Sequence, residues 1–406
     1  MKKYLIGWAC LILSAAIPAA NASRLPASFS ESDLVKQLSA LAGPQDAILV
    51  AAPDGRTLAA IHADRPLVPA SILKLLTTLA ALEKLGPDYR FKTDFYLDPR
   101  DNLKIKGYGD PLLISETLKV IARQLAPLVP VVHDLVMDDS FFAQPIRISG
   151  RGNSTQPYDA PNGALCVNFN TVAFKNVNGQ WVSDEPQTPL LASVIPKIAA
   201  SGITRGRITL AADRFEALKY AGELLRFFLK QAGVQVTGGV INSRIDPTAD
   251  ALVWSYRSDA TLDLVVSKLL EFSNNFIANQ ILLVMGAEIL KPPATVDKGM
   301  QVLRGYYRDS LGIKTGRIVE ASGLSRENRI TARAMLRILE HYGPYHGLMR
   351  REGRQYYKTG HLKGVRTRAG FLSGNHGGLY RFVVMCNTPG KSTDAIMRAI
   401  EKHLDE

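Results

Sequence analysis

The chain has 406 residues, of which 46% are apolar and 21% charged. That is too apolar for a disordered chain and long enough for two or three compact units with a sizeable core. The net charge of +12 suits an anionic partner surface.

The chain begins with the pattern of a secretory leader. Lys2 and Lys3 precede the apolar run YLIGWACLILSAAIPAA, and Ala20-Asn21-Ala22 offers small residues for cleavage after Ala22. The run is too short and badly flanked for a stable anchor. An exported, soluble mature chain is therefore expected, in the periplasm or cell envelope. Loss of residues 1–22 removes two of the positive charges. The remaining excess suits an anionic envelope, so peripheral membrane or murein association stays open, and nucleic acid is not expected as a partner. Of the cysteines outside the leader, Cys166 and Cys386 each sit in apolar, strand-like sequence and read as buried free thiols. Their pairing is not legible, and neither has the spacing of a metal site.

Residues 46–61, DAILVAAPDGRTLAAI, alternate like a hairpin turning at Asp54-Gly55. A helix follows, started by Pro69 and Ser71 and stopped by Gly86-Pro87. From 90 to 249 the texture changes to short strand-like runs (FKTDFYLD, NLKIKGYG, GRITLAA) and Gly/Pro/Asn turns, with one helix expected at 214–232. Helices return from about 259. TLDLVVSKLLEFSNNFIANQILLVMGAEIL carries two, separated by Ser273-Asn274-Asn275. Further amphipathic helices are expected at ATVDKGMQVLRGYYRDSLG and at TARAMLRILEHYG, the latter capped by threonine. RTRAGFLSGNHGGLYRFVVMCN reads as a hairpin, and the last helix puts Ile396, Ile400 and Leu404 on one face.

One feature of the first helix is out of place. Lys74 lies in a nearly continuous apolar run, one turn after Ser71. A lysine stem can lie along a core while its head reaches water. A serine and lysine on one face at a helix N-terminus can also be a nucleophile and its base, with unpaired backbone N–H groups nearby to stabilise an oxyanion. The lysine then needs its pKa brought from ~10.4 to roughly 7–8 by burial or a second cation. Ser-x-x-Lys alone is weak, since about one match is expected by chance. Helpers strengthen it. Ser273 and Asn275 offer a hydroxyl and an amide in a break between helices. A second Ser-x-Asn, at 373–375, lies in a Gly/Asn turn and is set aside. Lys-Thr-Gly is rarer and occurs at 314–316 and 358–360. The first looks like a connecting turn. The second leads into the hairpin and is favoured, with Gly360 allowing close backbone approach.

SILK, SNN and KTG in this order resemble the three motifs of penicillin-binding proteins and serine β-lactamases. The flanks VPASILKLLTTLAALEKLGPDYRF, GYGDPLL, LVMDDSFF, ALCVNFNTV, FSNNFIANQIL, ASGLSRENRITA and KTGHLKGVRTRAGF resemble one branch, the D-alanyl-D-alanine carboxypeptidase/endopeptidases with inserted domains. The resemblance implies that Ser71 is acylated, with Lys74 as its base. It implies that Ser273 relays the proton, Asn275 holds the substrate amide and Lys358 supplies positive charge beside Ser273. Thr359, Gly360 and His361 would bind substrate, with the backbone N–H groups of Ser71 and His361 as the oxyanion hole. His361 departs from the family's Thr or Ser, so its side chain's part in holding a terminal carboxylate stays open.

The expected fold is therefore an α/β (α+β) transpeptidase-like domain, 23–89 and 250–406, with an antiparallel sheet flanked by helices. A mostly β insertion would occupy 90–249. The expected function is an exported serine D,D-peptidase acting on peptidoglycan peptides and inhibited by β-lactams, without metal or cofactor. A β-lactamase, or a slow penicillin-sensing protein, is the alternative. Release of a terminal D-alanine and cleavage of a cross-link are not distinguished.

Overall fold

The computed structural model describes residues 31–210, 214–375 and 377–405. The segment read as a leader, 1–22, lies outside the described residues. A six-stranded antiparallel sheet organises the first unit. Its order is Arg350–Glu352, Gln355–Leu362, Val365–Ser373, Leu379–Cys386, Asp46–Ala51, Thr57–Ile61. The N-terminal hairpin thus docks on the C-terminal one, with Asp46 opposite Cys386 and Ala51 opposite Arg381.

Strand alternation divides the apolar residues between two layers. Ala47, Leu49 and Ala51 face one core with Ala369, Phe371, Val383 and Met385, against the helices Lys74–Leu85 and Ala332–Tyr342. Ile48, Val50, Phe382, Val384 and Cys386 face the other, covered by Glu31–Leu41 and Thr393–Asp405. Being buried on both faces explains why 47–51 is apolar throughout. Cys166 and Cys386 are both free and buried.

The helix Asn275–Leu290 lies in the centre of the helical layer, buried from Phe276 to Ala287. Apart from Asn279 and Gln280 its buried span is apolar all round, as expected of a helix surrounded by protein. Asn274 caps it by accepting from Ile277 N at 3.1 Å.

A second unit grows from Arg90. Its five-stranded sheet runs Val240–Asn242, Leu135–Asp138, Leu103–Gly107, Arg90–Leu97, Ala251–Thr261, and a three-stranded sheet accompanies it. The strand Ala251–Thr261 pairs with Arg90–Leu97 along its length. The expected boundary at 249–250 would cut this strand from its own sheet, and we place the second junction at Thr261–Leu262. The insertion is also more helical than expected. Ser115–Leu125 buries Leu118, Ile121, Ala122 and Leu125 and packs with Arg214–Gln231 over the sheet.

Part of the insertion returns to the first unit. Phe141, Phe142, Ile146 and Ile148 join the core of the helical layer. Asn162 Nδ2 donates to Phe276 O at 3.0 Å and Gln280 Oε1 at 2.9 Å, and Gln280 Nε2 donates to Gly163 O at 2.6 Å. The helix that begins at Asn275 is thereby braced from the insertion side.

Candidate active site

Ser71 sits in a 3₁₀ turn, Ala70–Leu73, that runs straight into the helix Lys74–Leu85. Ala70 has φ +50°, a left-handed conformation that an alanine adopts only when its surroundings hold it. Two neighbours do so. Thr367 Oγ1 donates to Pro69 O at 2.7 Å. Gly323, with φ +81°, packs so tightly that a Cβ there would lie 1.9 Å from Ala70 O.

Lys74 is fully buried, and its Nζ lies 3.0 Å from Ser71 Oγ, 2.7 Å from Asn275 Oδ1 and 2.6 Å from Ser322 O. Burial first, and the Lys358 ammonium second, hold its pKa well below the ordinary value, against the opposing pull of Glu320. A neutral amine has two N–H donors and one lone pair. In that form the two closest partners, both pure acceptors, would take both N–H groups and leave the lone pair for Ser71 Oγ. This is the orientation a general base needs.

Lys358 is also buried, 3% exposed, and donates to Thr359 O at 2.8 Å. Burial, then the nearby Arg350, lower its pKa to about 8. Ser273 ends the helix Leu262–Phe272 in a left-handed conformation, φ +54°. That turn brings it two residues ahead of Asn275, partly buried. Among the described residues it makes no side-chain hydrogen bond to Ser71, Lys74 or Lys358.

The strand Gln355–Leu362 forms one wall. Its hairpin to Val365–Ser373 turns at Lys363-Gly364, with Leu362 paired to Val365 and His361 to Arg366. In such a two-residue hairpin the closing pair is hydrogen-bonded, so bonded pairs fall at 362, 360 and 358. The N–H and C=O groups of Thr359 and His361 therefore point the other way. The strand Arg350–Glu352 pairs only with residues 355–357, so the edge at 359–361 is open. It presents the His361 N–H beside the Ser71 turn. Gly360 makes this approach possible, since a Cβ there would lie 2.8 Å from Ser71 N and 2.9 Å from Pro69 O.

The His361 ring is exposed, and slight burial followed by Arg366, its cross-strand partner, lowers its pKa below 6.5. Lys358, three residues earlier on the strand, points to the opposite face. The other Lys-Thr-Gly, at 314–316, lies in an exposed turn held by Tyr307 Oη donating to Thr315 O at 2.8 Å. The Ser-x-Asn at 373–375 is at the other end of the hairpin from His361.

Glu320 has no counterpart in the sequence reading. It is wholly buried and accepts from Ser322 N and Oγ at 2.6 Å each, and from Gly323 N and Asn328 Nδ2 at 2.7 Å each. The loop it ties holds Ser322 O against Lys74 and Gly323 against Ala70. Thr77 Oγ1 donating to Ala321 O at 2.7 Å, and Asn279 Oδ1 accepting from Ala321 N at 3.2 Å, fix the same loop to the two central helices. The ASGLSRENRITA run was legible as a resemblance, but nothing in it marks Glu320 as an anchor.

The described residues contain no cluster of His, Cys, Asp and Glu that could hold a metal. Among known proteins, the chain is similar to the D-alanyl-D-alanine carboxypeptidase of Actinomadura sp. (strain R39), 26% identical over 472 residues that cover 97% of this chain and 87% of the relative. It is 25% identical to a D-alanyl-D-alanine carboxypeptidase of Haemophilus influenzae, covering 79% of this chain and 80% of that one. The crystal structure of penicillin binding protein 4 from Haemophilus influenzae superposes with a TM-score of 0.74 at 19% identity, covering 93% of this chain and 99% of that chain. A predatory peptidoglycan endopeptidase from Bdellovibrio bacteriovorus gives a TM-score of 0.52 at 16% identity, covering 84% and 86%. These two likenesses establish the fold as that of the penicillin-binding proteins. The model of one peptidase family matches residues 31–204 and 198–346, most of the chain, and on that match the chain belongs to the D-Ala-D-Ala carboxypeptidase 3 (S13) family.

Proposed function

We propose that this chain is a serine D,D-peptidase that cuts the D-alanyl amide of peptidoglycan stem peptides through an ester on Ser71. One observation carries the reading: a fully buried Lys74 whose Nζ lies 3.0 Å from Ser71 Oγ and is held there by Asn275 Oδ1 and Ser322 O. Lys74 takes the Ser71 proton as Oγ attacks the carbonyl carbon. The oxyanion that forms is held by the N–H groups of Ser71 and His361. The C–N bond then breaks, and the proton reaches the leaving nitrogen through Ser273, beside the Lys358 charge. Water next attacks the ester, giving its proton to Lys74, and the acid leaves as Oγ is reprotonated. Asn275 has Oδ1 occupied by Lys74, which leaves its Nδ2 free to hold the acyl-side amide carbonyl. Thr359 and the open strand edge hold the remainder.

Relatives whose names denote carboxypeptidases, and a β-lactam complex of the Haemophilus influenzae protein, support penicillin as an inhibitor that stops at the ester. The β-lactamase reading requires fast water attack on the ester. Glu320, whose charge acts on Lys74, has both oxygens taken by loop donors and is not free to activate that water. The cell envelope is the proposed location, with peripheral association left to the surface charge. No helix of the described residues is long and apolar enough to cross a membrane.

The test is acylation by a labelled penicillin. The label should persist for minutes and map to the Ser71 peptide, and Ser71→Ala should abolish it. Rapid release of hydrolysed penicillin would refute the reading.

A further inference from the structure

Gln280 is wholly buried in the helix that begins at Asn275, and a buried amide is costly unless the groups it offers are bonded. Its partners come from the insertion. Asn162 Nδ2 gives one hydrogen to Gln280 Oε1 and the other to Phe276 O, and Gln280 Nε2 donates back to Gly163 O. The same segment is tied to the insertion's own frame. Asn170 Nδ2 donates to Pro161 O at 2.8 Å. Asn168 grips Ser115, at the start of the helix Ser115–Leu125, accepting from its N–H and donating to its Oγ at 2.9 Å each. Asn168, Phe169 and Asn170 are all left-handed, with φ of +49°, +60° and +53°, a conformation such residues hold only where their surroundings impose it. Between the two asparagines, Phe169 meets Phe276 edge-on, with centroids 6.0 Å apart.

We propose that the segment 161–170 of the insertion is a positioning element for the reaction, with Asn162 and Gln280 as positioning residues that set the axial register of the helix carrying Asn275. The inference rests on the roles of Ser71, Lys74 and Asn275 proposed above. A slide by one residue moves a helix about 1.5 Å along its axis. That is enough to break the bonds between Asn162, Gly163 and Gln280, and to take Asn275 Oδ1 out of its 2.7 Å contact with Lys74 Nζ. Apolar side chains packed around a helix resist such a slide less sharply than directional bonds do, which gives a buried glutamine a use that a leucine would not have.

The test compares Asn162→Leu, Gln280→Leu and the double variant in acylation by a labelled penicillin across pH, with the urea midpoint measured alongside. Each single variant leaves part of the other amide buried and unpaired, so both should lose stability. The double variant removes both amides, and Gly163 O keeps Cys166 Sγ as a donor at 3.3 Å, so its midpoint should recover. Acylation should not. All three should acylate about tenfold more slowly than the wild type, the worth of one hydrogen bond. The double variant should be no slower than either single one, because both break the same brace. Asn275 Oδ1 accepts more strongly from the ammonium of Lys74 than from its amine, so loosening it should also move the acid limb of acylation to lower pH. Loss of folded protein cannot produce that shift. A double variant with the wild-type rate and acid limb would overturn the positioning role and leave the D,D-peptidase intact. No acylation of the wild-type protein would overturn the D,D-peptidase, and the positioning role with it.

Discussion

Replacing Glu320 by glutamine should destabilise the protein and, at the same time, extend its activity to lower pH. The carboxylate is fully buried and its two oxygens each accept from two close donors. Glutamine can keep only one oxygen. In the better of its two orientations the new NH₂ replaces the oxygen facing Ser322, whose hydroxyl can rotate to accept, while the Ser322 N–H is orphaned. An orphaned buried N–H costs about 1–3 kcal/mol, and each of the two remaining bonds loses about 1 kcal/mol with the charge. The expected loss is about 3–5 kcal/mol, read as a lower unfolding midpoint in urea. The pH effect has the opposite flavour. Glu320 raises the Lys74 pKa, so removing its charge lets that pKa fall further. The base is then neutral at lower pH, and the acid limb of penicillin acylation shifts downward. An unchanged midpoint, or an acid limb that moves upward, would refute this account of the loop.

The two Lys-Thr-Gly copies should separate cleanly. Lys358→Ala should slow acylation on the order of 10²-fold, as expected for a lost electrostatic stabiliser, and Lys314→Ala, in its exposed turn, should change little; the reverse result would reassign the motif. Wild-type acylation should rise with pH as Lys74 loses its proton and fall above about 8 as Lys358 loses its own, and Lys358→Ala should erase the alkaline limb. If the exposed His361 ring reaches the substrate carboxylate, KM for a D-Ala-D-Ala peptide should fall as pH drops below 6.5, because burial and Arg366 keep the ring neutral above it; His361→Thr should flatten this, and identical profiles would confine His361 to its backbone N–H. Burial raises both thiols to about 12, so neither Cys166 nor Cys386 should react with a thiol reagent at pH 8 before unfolding.

Local chemistry made much of this site legible. Lys74 inside an apolar helix, one turn after a serine, reads as a snorkelling side chain or a base, and its full burial argues against snorkelling. The break at Ser273–Asn275 is announced by three polar residues between two apolar runs, and the structure uses it to bring Asn275 to Lys74 at 2.7 Å. The preference for the second Lys-Thr-Gly rested on its leading into a hairpin, and strand pairing is what leaves an edge open there. The helix Ser115–Leu125 was missed although Leu118, Ile121, Ala122 and Leu125 follow helical spacing. Short strands on both sides masked it. The strand Ala251–Thr261 was assigned to the wrong unit for a different reason, since its partner at Arg90–Leu97 is about 160 residues earlier, and register across such a gap leaves no local trace.

Glu320 shows why the remaining part was not legible. A catalytic lysine advertises itself by being an ammonium among leucines, but an anchoring carboxylate is defined by the donors it gathers. Three of the five are backbone N–H groups, of Ser322, Gly323 and Ser325, which every sequence supplies alike. Flanked by valine and alanine, Glu320 differs in nothing local from an edge residue of a strand. Only the folded loop shows that its charge is consumed internally, and that this internal pairing keeps Ser322 O at 2.6 Å from Lys74. The same holds for His361. Lys358 is the nearby charge along the chain, yet alternation along a strand sends those two side chains to opposite faces. The residue that acts on it is Arg366, reached across the sheet rather than along the chain. In this site the groups proposed to react are marked by their unusual surroundings in sequence, while the groups that tune them are chosen by strand pairing and loop closure.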